Sequence, residues 1–333
     1  MTAKKKEYLC LGIESTAHTF GCSIVKNDGT ILSNIKDAVT TDKGGLIPVE
    51  VAEHHARVCD TIIKKTLTEA RCTLQDIKLI SYSRSPGIGH MLRIGGMVAR
   101  SLAQINKIPL VGVNHCIAHL EIGKLTTKAK DPVFLYASGA NTQVIAFEGK
   151  KYRVFGETLD TGVGNFLDTF ARDLQLGFPG GPKVYELALQ GKKLIPLPYC
   201  VKGMDTAFSG ILTSLKQKRE SKMYSKEDLC FSAQETVFAM LLEVCERAMA
   251  HCDKKELLLG GGVAANKRLQ EMADIMCQKR GATCFKTPQV YCTDNAAMIA
   301  WLGILEYNAG ISTTISNANV DPYERVDDFI VTW

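Results

Sequence analysis

The residues of this chain best suited to chemistry are two histidines, His115 and His119, in the run Val113-Asn114-His115-Cys116-Ile117-Ala118-His119. On a helix a separation of four puts both rings on one face, where they can grip a metal. Zinc proteases of the H-E-x-x-H type carry a Glu directly after the first His as general base; Cys116 stands there instead. The pair therefore suggests a metal site with different chemistry. A buried helix with two hydrogen-bonded histidines is the plainer reading, because two ligands are too few. Oxygen donors must complete a site. Asp294 opens an apolar helical stretch and is one candidate, with helix capping as its plainer role. Tyr136 ends a strand-like run and is another, with core packing as its plainer role. Two His with one Asp match a donor set used for iron, and a phenolate would strengthen iron over zinc.

The elements that must position these residues form an approximate repeat. Residues 9–32 and 133–155 both read as strand, small polar turn, strand, hairpin, strand. Asn27-Asp28-Gly29 and Glu148-Gly149-Lys150 carry the hairpin signals. Amphipathic patterns over residues 51–69, 94–105 and 234–250 predict helices, as does the apolar run 296–307. Leu257-Leu258-Leu259 predicts a buried strand running into Gly260-Gly261-Gly262, with a helix from about Ala264 to Cys277. Such a repeat argues for two homologous α/β lobes. The first is expected over residues 1–130, ending near the Asp131-Pro132 break. The second is expected over residues 131–307, with residues 308–333 docking back on the first.

Each lobe opens with a polar turn, residues 14–19 and Ser138 to Asn141. Backbone N–H groups of such turns form anion nests, and Gly139 allows close backbone approach. The Gly260-Gly261-Gly262 turn, at a strand-to-helix junction, adds the positive end of a helix dipole. Tight hairpins would explain one such turn; three across two lobes favour a nucleotide. No G-x-x-x-x-G-K-[ST] and no Rossmann G-x-G-x-x-G after a first strand occurs. The architecture expected is therefore the two-lobed actin and sugar-kinase type, with a cleft between the lobes.

Composition excludes several classes. With 46% hydrophobic and 23% charged residues in 333, this is an ordinary globular chain. The formal net charge of +5 permits an anionic partner without demanding one. Its basic clusters, such as Lys4-Lys5-Lys6, read individually as solvated surface. Twelve cysteines without a C-x-x-C pair read as reduced thiols in a cytoplasmic protein. No apolar run reaches transmembrane length, and the basic N-terminus leads into a strand-like run broken by Glu14, so neither a membrane span nor a signal peptide is expected.

Six blocks in order carry a family resemblance. They begin at Gly12-Ile13-Glu14-Ser15-Thr16-Ala17-His18-Thr19, Asn114-His115-Cys116-Ile117-Ala118-His119 and Ser138-Gly139-Ala140-Asn141-Thr142. Gly156-Glu157-Thr158-Leu159-Asp160, Phe178-Pro179-Gly180-Gly181-Pro182 and Gly260-Gly261-Gly262-Val263-Ala264-Ala265-Asn266 follow. Over about residues 8–310 the chain resembles the universal Kae/TsaD/Qri family, which makes threonylcarbamoyladenosine in tRNA. More narrowly it resembles the archaeal and eukaryotic catalytic subunit of the KEOPS complex. The resemblance implies an actin-like ATPase fold (the ASKHA class). It implies transfer of threonylcarbamoyl from threonylcarbamoyl-AMP to the exocyclic amine of the adenosine beside the anticodon of ANN-decoding tRNAs, releasing AMP. It implies one divalent metal per subunit, iron with zinc as the alternative, held by His115, His119, Tyr136 and Asp294. It also implies ATP or the acyl-adenylate, with or without Mg, held by Tyr136, Ala137, Ser138, Gly139, Ala140, Asp168, Gly181 and Asn266. The partners implied are tRNA, a small atypical protein kinase that in some archaeal relatives is fused after this domain, and a small dimerising subunit.

Glu14, from its place in the first turn, is the candidate general base. Tyr185 stands where some relatives carry an acid, a departure from the family pattern at a position implied to contact the ribose. Two readings compete with this one. A small-molecule kinase of the same fold would use Mg and have no need of paired histidines. A nucleotide-binding scaffold would have no activity of its own.

Overall fold

The computed structural model describes residues 7–41 and 46–333; the Lys4-Lys5-Lys6 cluster lies outside the described residues. The chain divides into two compact units. The first comprises Met1–Val39, Leu46–Leu125 and Asp294–Trp333, and the second Thr40–Gly45 and Thr126–Thr293.

In the first unit the elements run β1 (Leu9–Glu14), β2 (Thr19–Lys26), β3 (Ile31–Ala38), α1 (Pro48–Glu69), β4 (Ile77–Ser85), α2 (Gly89–Asn106), β5 (Leu110–Asn114) and α3 (His115–Thr126). In the second they run β6 (Val133–Ala137), β7 (Thr142–Glu148), β8 (Lys151–Glu157), α4 (Val163–Asp173), α5 (Gly180–Ala188), β9 (Val201–Lys202), β10 (Asp205–Thr206), α6 (Ser209–Glu220), α7 (Lys226–His251), β11 (Glu256–Gly260), α8 (Lys267–Lys279), β12 (Thr283–Lys286) and α9 (Gln289–Cys292). The chain then returns to the first unit as α10 (Ala296–Asn308).

Each unit holds a five-stranded sheet, ordered β3-β2-β1-β4-β5 and β8-β7-β6-β11-β12. The first strand of each pairs antiparallel with its hairpin neighbour and parallel with the crossover strand, β1 with β4 and β6 with β11. The repeat read from the sequence is therefore a repeat of topology. Both first strands are almost wholly buried, as expected of central strands covered on both faces.

Helix α10, grouped with the second lobe from its sequence position, packs on the first sheet. Two small residues govern that packing. A Cβ on Gly12 of β1 would lie 2.4 Å from the Ala296 carbonyl oxygen, so glycine lets the helix rest directly on the strand. Ser81 of β4 donates its hydroxyl to the Ile299 carbonyl at 2.8 Å. The segment after α10 runs along the same sheet, with Thr313 N–H bonded to the Leu110 carbonyl and Asp321 N–H to that of Arg84.

The two cores are distinct. That of the first unit gathers around Leu11, Ile13, Ile24, Ile80 and Tyr82. That of the second gathers around Phe166, Phe170, Phe208 and Phe238, with α7 buried along most of its length. None of the twelve cysteines, all among the described residues, forms a disulfide. Among the described residues no helix is long and apolar enough to cross a membrane.

Candidate functional site

Strand β5 ends at Asn114 and α3 begins at once with His115. The turn is this tight because Asn114 caps the helix: its Oδ1 accepts from the N–H groups of Cys116 and Ile117, at 3.0 and 3.3 Å. One turn of α3 then carries both histidines on one face. Their rings are edge-on, with centroids 4.8 Å apart at 84°.

Asp294 meets them from the segment that leads into α10. Its Oδ1 lies 3.5 Å from Nε2 of both His115 and His119. The capping role considered for Asp294 is filled by its neighbour: Asn295, fully buried, accepts from the Met298 N–H at 3.1 Å. That leaves the Asp294 carboxylate to the histidines. Lys36 holds the segment in place by donating to the Asp294 carbonyl at 2.9 Å.

Glu14, at the end of β1, completes the first-unit cluster from behind. Its Oε1 accepts from the backbone and hydroxyl of Thr16, and its Oε2 lies 3.0 Å from His115 Nδ1. The Thr16 hydroxyl gives its proton to Glu14, so toward His115, 3.2 Å away, it can only accept. Nδ1 therefore carries the proton and Nε2 is turned toward Asp294. Carboxylates orient metal-binding histidines in this way. Glu14 has no exposed surface and both its oxygens are engaged. That is the geometry of an orienting group, not of a base reaching for a substrate proton.

The electrostatics agree with the donor set. Burial alone would keep His115 neutral, but Glu14 and Asp294 outweigh it and push the imidazole up to about 10. Burial, with His115 adding to it, pushes His119 down, so that ring stays neutral. Burial acts to raise Asp294, yet the two histidines hold it well below the usual carboxylate range. The cluster demands one positive charge, which a proton or a cation can supply. Two ligands held at about 2.1 Å and 90–109° around a metal are about 3.0–3.4 Å apart, close to the 3.5 Å found here. The three ligand atoms lie within 4.8 Å of one another, so His115, His119 and Asp294 fit a metal ion. Burial pushes the Cys116 thiol up to about 12, which leaves it protonated and inert.

The nucleotide residues expected from the sequence lie in the second unit. Tyr136 is buried in β6 and stacks on Phe134 at 5.9 Å. The turn from Ser138 to Asn141 closes on itself through Ser138 N–H to the Asn141 carbonyl, at 2.9 Å, and leaves Gly139 and Ala140 exposed. Asp168 accepts from the Gly180 N–H at 2.7 Å and so holds the Phe178-Pro179-Gly180-Gly181 turn to α4. A Cβ on Gly181 would meet only Leu167, at 3.9 Å, so its surroundings are open.

Asn266 is committed to structure. Its Oδ1 caps α8 by accepting from Arg268 and Leu269, and its Nδ2 donates to Gln234 at 3.0 Å. The glycine turn before it enters a short 3-10 turn, Gly262–Ala265, and not α8 itself. Gly260-Gly261-Gly262 is therefore followed by a single 3-10 turn and does not present the N-terminus of α8 to a ligand.

Sequence reading missed Gly162 and Gly164. The start of α4 lies flat on the Ser138–Ala140 backbone, with Gly164 N–H on the Ser138 carbonyl at 3.0 Å and Asn165 N–H on that of Gly139 at 2.9 Å. A Cβ on Gly164 would fall 2.7 Å from Gly139 Cα. The available signal was two glycines flanking a helix start, one strand pair after the turn they support.

Two sheets of one topology, with a buried carboxylate–histidine cluster at the first turn, define an actin-like ATPase fold carrying a candidate metal centre. Among solved structures, Thermococcus kodakarensis HypF matches with a TM-score of 0.63 over 94% of this chain and 50% of its own, at 15% identity, which speaks to the fold alone. A sequence model of the family TsaD, tRNA N6-adenosine threonylcarbamoyltransferase, matches residues 30–301. The tRNA N6-adenosine threonylcarbamoyltransferase of Thermococcus kodakarensis is 52% identical over 98% of this chain and 99% of its own. The probable bifunctional tRNA threonylcarbamoyladenosine biosynthesis protein of Methanocaldococcus jannaschii is 49% identical over 98% of this chain and 60% of its own. The chain belongs to the TsaD family.

Proposed function

We propose that this chain transfers the threonylcarbamoyl group from threonylcarbamoyl-AMP to N6 of the adenosine beside the anticodon in ANN-decoding tRNAs. It acts in the cytoplasm as the catalytic subunit of a KEOPS-type complex. The observation that carries the reading is the buried His115–His119–Asp294 cluster, oriented by Glu14, in a chain that belongs to this family over most of its length.

In the reaction the adenosine amine attacks the carbamoyl carbonyl carbon. A C–N bond forms, the C–O bond to phosphate breaks, and AMP leaves with the electron pair while the amine gives up a proton. The amine is a poor nucleophile because its lone pair is delocalised into the ring, so positioning supplies much of the barrier reduction. The second-unit residues Tyr136 to Ala140, with Asp168 and Gly181, hold the adenylate in this reading. The exposed Gly139 and Ala140 backbone and the open surroundings of Gly181 support it.

His115, His119 and Asp294 hold one divalent cation, iron in preference to zinc on the nitrogen-oxygen donor set. When bound, such a cation would supply Lewis acidity. Glu14 fixes the His115 tautomer. The anticodon-loop adenosine is reachable because single-stranded bases can be splayed out. A net charge of only +5 argues that other subunits, a small kinase and a small dimerising protein among them, provide part of the tRNA-binding surface.

The test is single-turnover transfer of labelled threonylcarbamoyl from the adenylate to tRNA, with and without partner subunits, alongside metal analysis of the purified chain. Labelled tRNA at one equivalent per active site, with one iron or zinc per chain, is expected. A metal-loaded chain that leaves tRNA unlabelled with all partners present would overturn the reading.

A further inference from the structure

The segment after α10 folds over a cavity of about 320 Å³ in the first unit, apart from the histidine cluster. Arg84, Glu306 and Glu324 are the charged residues lining it; Asn114, Phe329 and Trp333 line it as well. The charge of Glu324 is answered. One of its oxygens is 3.2 Å from Arg84 Nη2, and the other accepts from the Ser85 hydroxyl.

Glu306 is only 6% exposed, and among the described residues no hydrogen bond or ion pair answers its carboxylate. A buried acid in that state costs stability unless something neutralises it. Two donors on residues that line the same cavity are unanswered as well among the described residues. Asn114 Nδ2, on a residue 2% exposed, and Arg84 Nε are buried without an acceptor. One unanswered acid and two unanswered donors, on a cavity also lined by Phe329 and Trp333, make a site whose complement is a cation joined to an oxygen acceptor.

We propose that this cavity binds a primary ammonium group that carries a carbonyl or hydroxyl oxygen two or three bonds away, the ammonium on Glu306 and the oxygen on Asn114 and Arg84. Two sources share that chemistry: a free small amine and the amino terminus of a peptide. The site has a route to the reaction, because Asn114 also caps α3 immediately before His115.

Burial, with Glu324 adding to it, pushes the Glu306 acid up to about 8 against the pull of Arg84. Below that pH an incoming ammonium displaces a proton, so its affinity rises about tenfold per pH unit up to about 8.

The full-length, metal-loaded chain is titrated by ligand-observed NMR with ethanolamine and separately with the peptide Gly-Ala-Ala, at constant ionic strength set with sodium chloride. Saturable binding of either probe, with a Kd on the order of 1 mM at pH 8, is expected. Ethanolamine alone binding assigns a free amine, and the peptide alone binding assigns an amino terminus. Glu306→Gln, which removes only the charge from a buried site, should weaken binding at least tenfold. Glu306→Asp, which keeps the charge on a shorter arm, should weaken it less. Binding of neither probe, or equal binding by wild type and Glu306→Gln, would overturn the proposal.

Discussion

The two units repeat one topology and use its first turn in opposite ways. In the first unit the turn after β1 is sealed. Glu14, Ser15 and Thr16 are all buried, and Glu14 spends its charge on Thr16 and His115. In the second unit the equivalent turn after β6 is open, with Gly139 and Ala140 exposed and the Gly139 carbonyl bonded to the Asn165 N–H. Neither turn has a charged side chain free for a ligand, but one has side-chain charge turned inward and the other has main chain turned outward. A buried carboxylate can orient a metal ligand, and an exposed backbone can follow a phosphate or sugar. Duplication thus provided two frames, and side-chain chemistry divided the work.

The most direct way to break the contrast is to remove the ring that the first turn orients. His115→Ala should abolish bound metal and reduce transfer to tRNA by roughly a hundredfold or more, since only His119 then faces Asp294 and two ligands are too few to hold the ion. Metal analysis and single-turnover assay read both effects. Glu14→Gln should be milder. It leaves the ligands in place and loosens their orientation, with an expected tenfold to hundredfold loss of metal affinity. If Glu14→Gln kept full metal affinity and lost only transfer, Glu14 would be the base after all and the orienting role would fall.

The second turn breaks through packing. Gly164→Ala drives a methyl to within 2.7 Å of Gly139 Cα and the Ser138 carbonyl oxygen, so the turn or α4 must shift. The expected cost is about 1–3 kcal/mol, with nucleotide affinity reduced by calorimetry and metal content unchanged. Parallel losses of metal and nucleotide would show that the two turns are not independent.

A gentler probe of the first turn is pH. With His115 raised to about 10, a cation entering at neutral pH must expel one proton. Metal affinity should therefore rise about tenfold per pH unit below that value. Calorimetry in buffers of different ionisation enthalpy should report one proton released per metal, and none released would mean that His115 is already neutral.

The sequence displayed the repeat, the histidine pair and the glycine turns because these are local in the chain or periodic. What it hid was division of labour between neighbours. Asp294 and Asn295 are equally good capping residues on paper. In the fold Asn295 caps α10 and Asp294 faces the histidines. Asn114 reads as part of a motif, yet its side chain is a helix cap. Asn266, which the resemblance implies as a nucleotide contact, caps α8 and donates to Gln234. The role of Gly164 depends on a contact with residues about twenty-five positions earlier, which no spacing rule reveals. The assignment of α10 to the first sheet is of the same kind, since an apolar helix does not say which sheet it covers.

The block Gly156 to Asp160 carried a family signal without a physical reason, and the second unit supplies one. Asp160 gathers hydrogen bonds from the backbone of Thr161, Phe208 and Ser209 and from the hydroxyl of Ser209, and so caps α6 from a loop some fifty residues earlier. Thr158, two residues before it, bonds its N–H to the Thr142 carbonyl at the foot of the open turn. Partial burial would raise the Asp160 carboxyl, but these donors outweigh it and hold it at about 2. A depressed acid stabilises the fold fully above its unfolded value near 3.8, and that contribution is lost as pH falls toward 2. Asp160→Asn turns one acceptor oxygen into a donor facing other donors. It should lower the melting temperature by a few degrees at neutral pH and flatten the acid limb of stability between about 4 and 2. Metal affinity should not change. Denaturation midpoints measured across that pH range decide it. An unchanged acid limb would mean that the open turn draws no support from Asp160, and that its backbone is held by α4 alone.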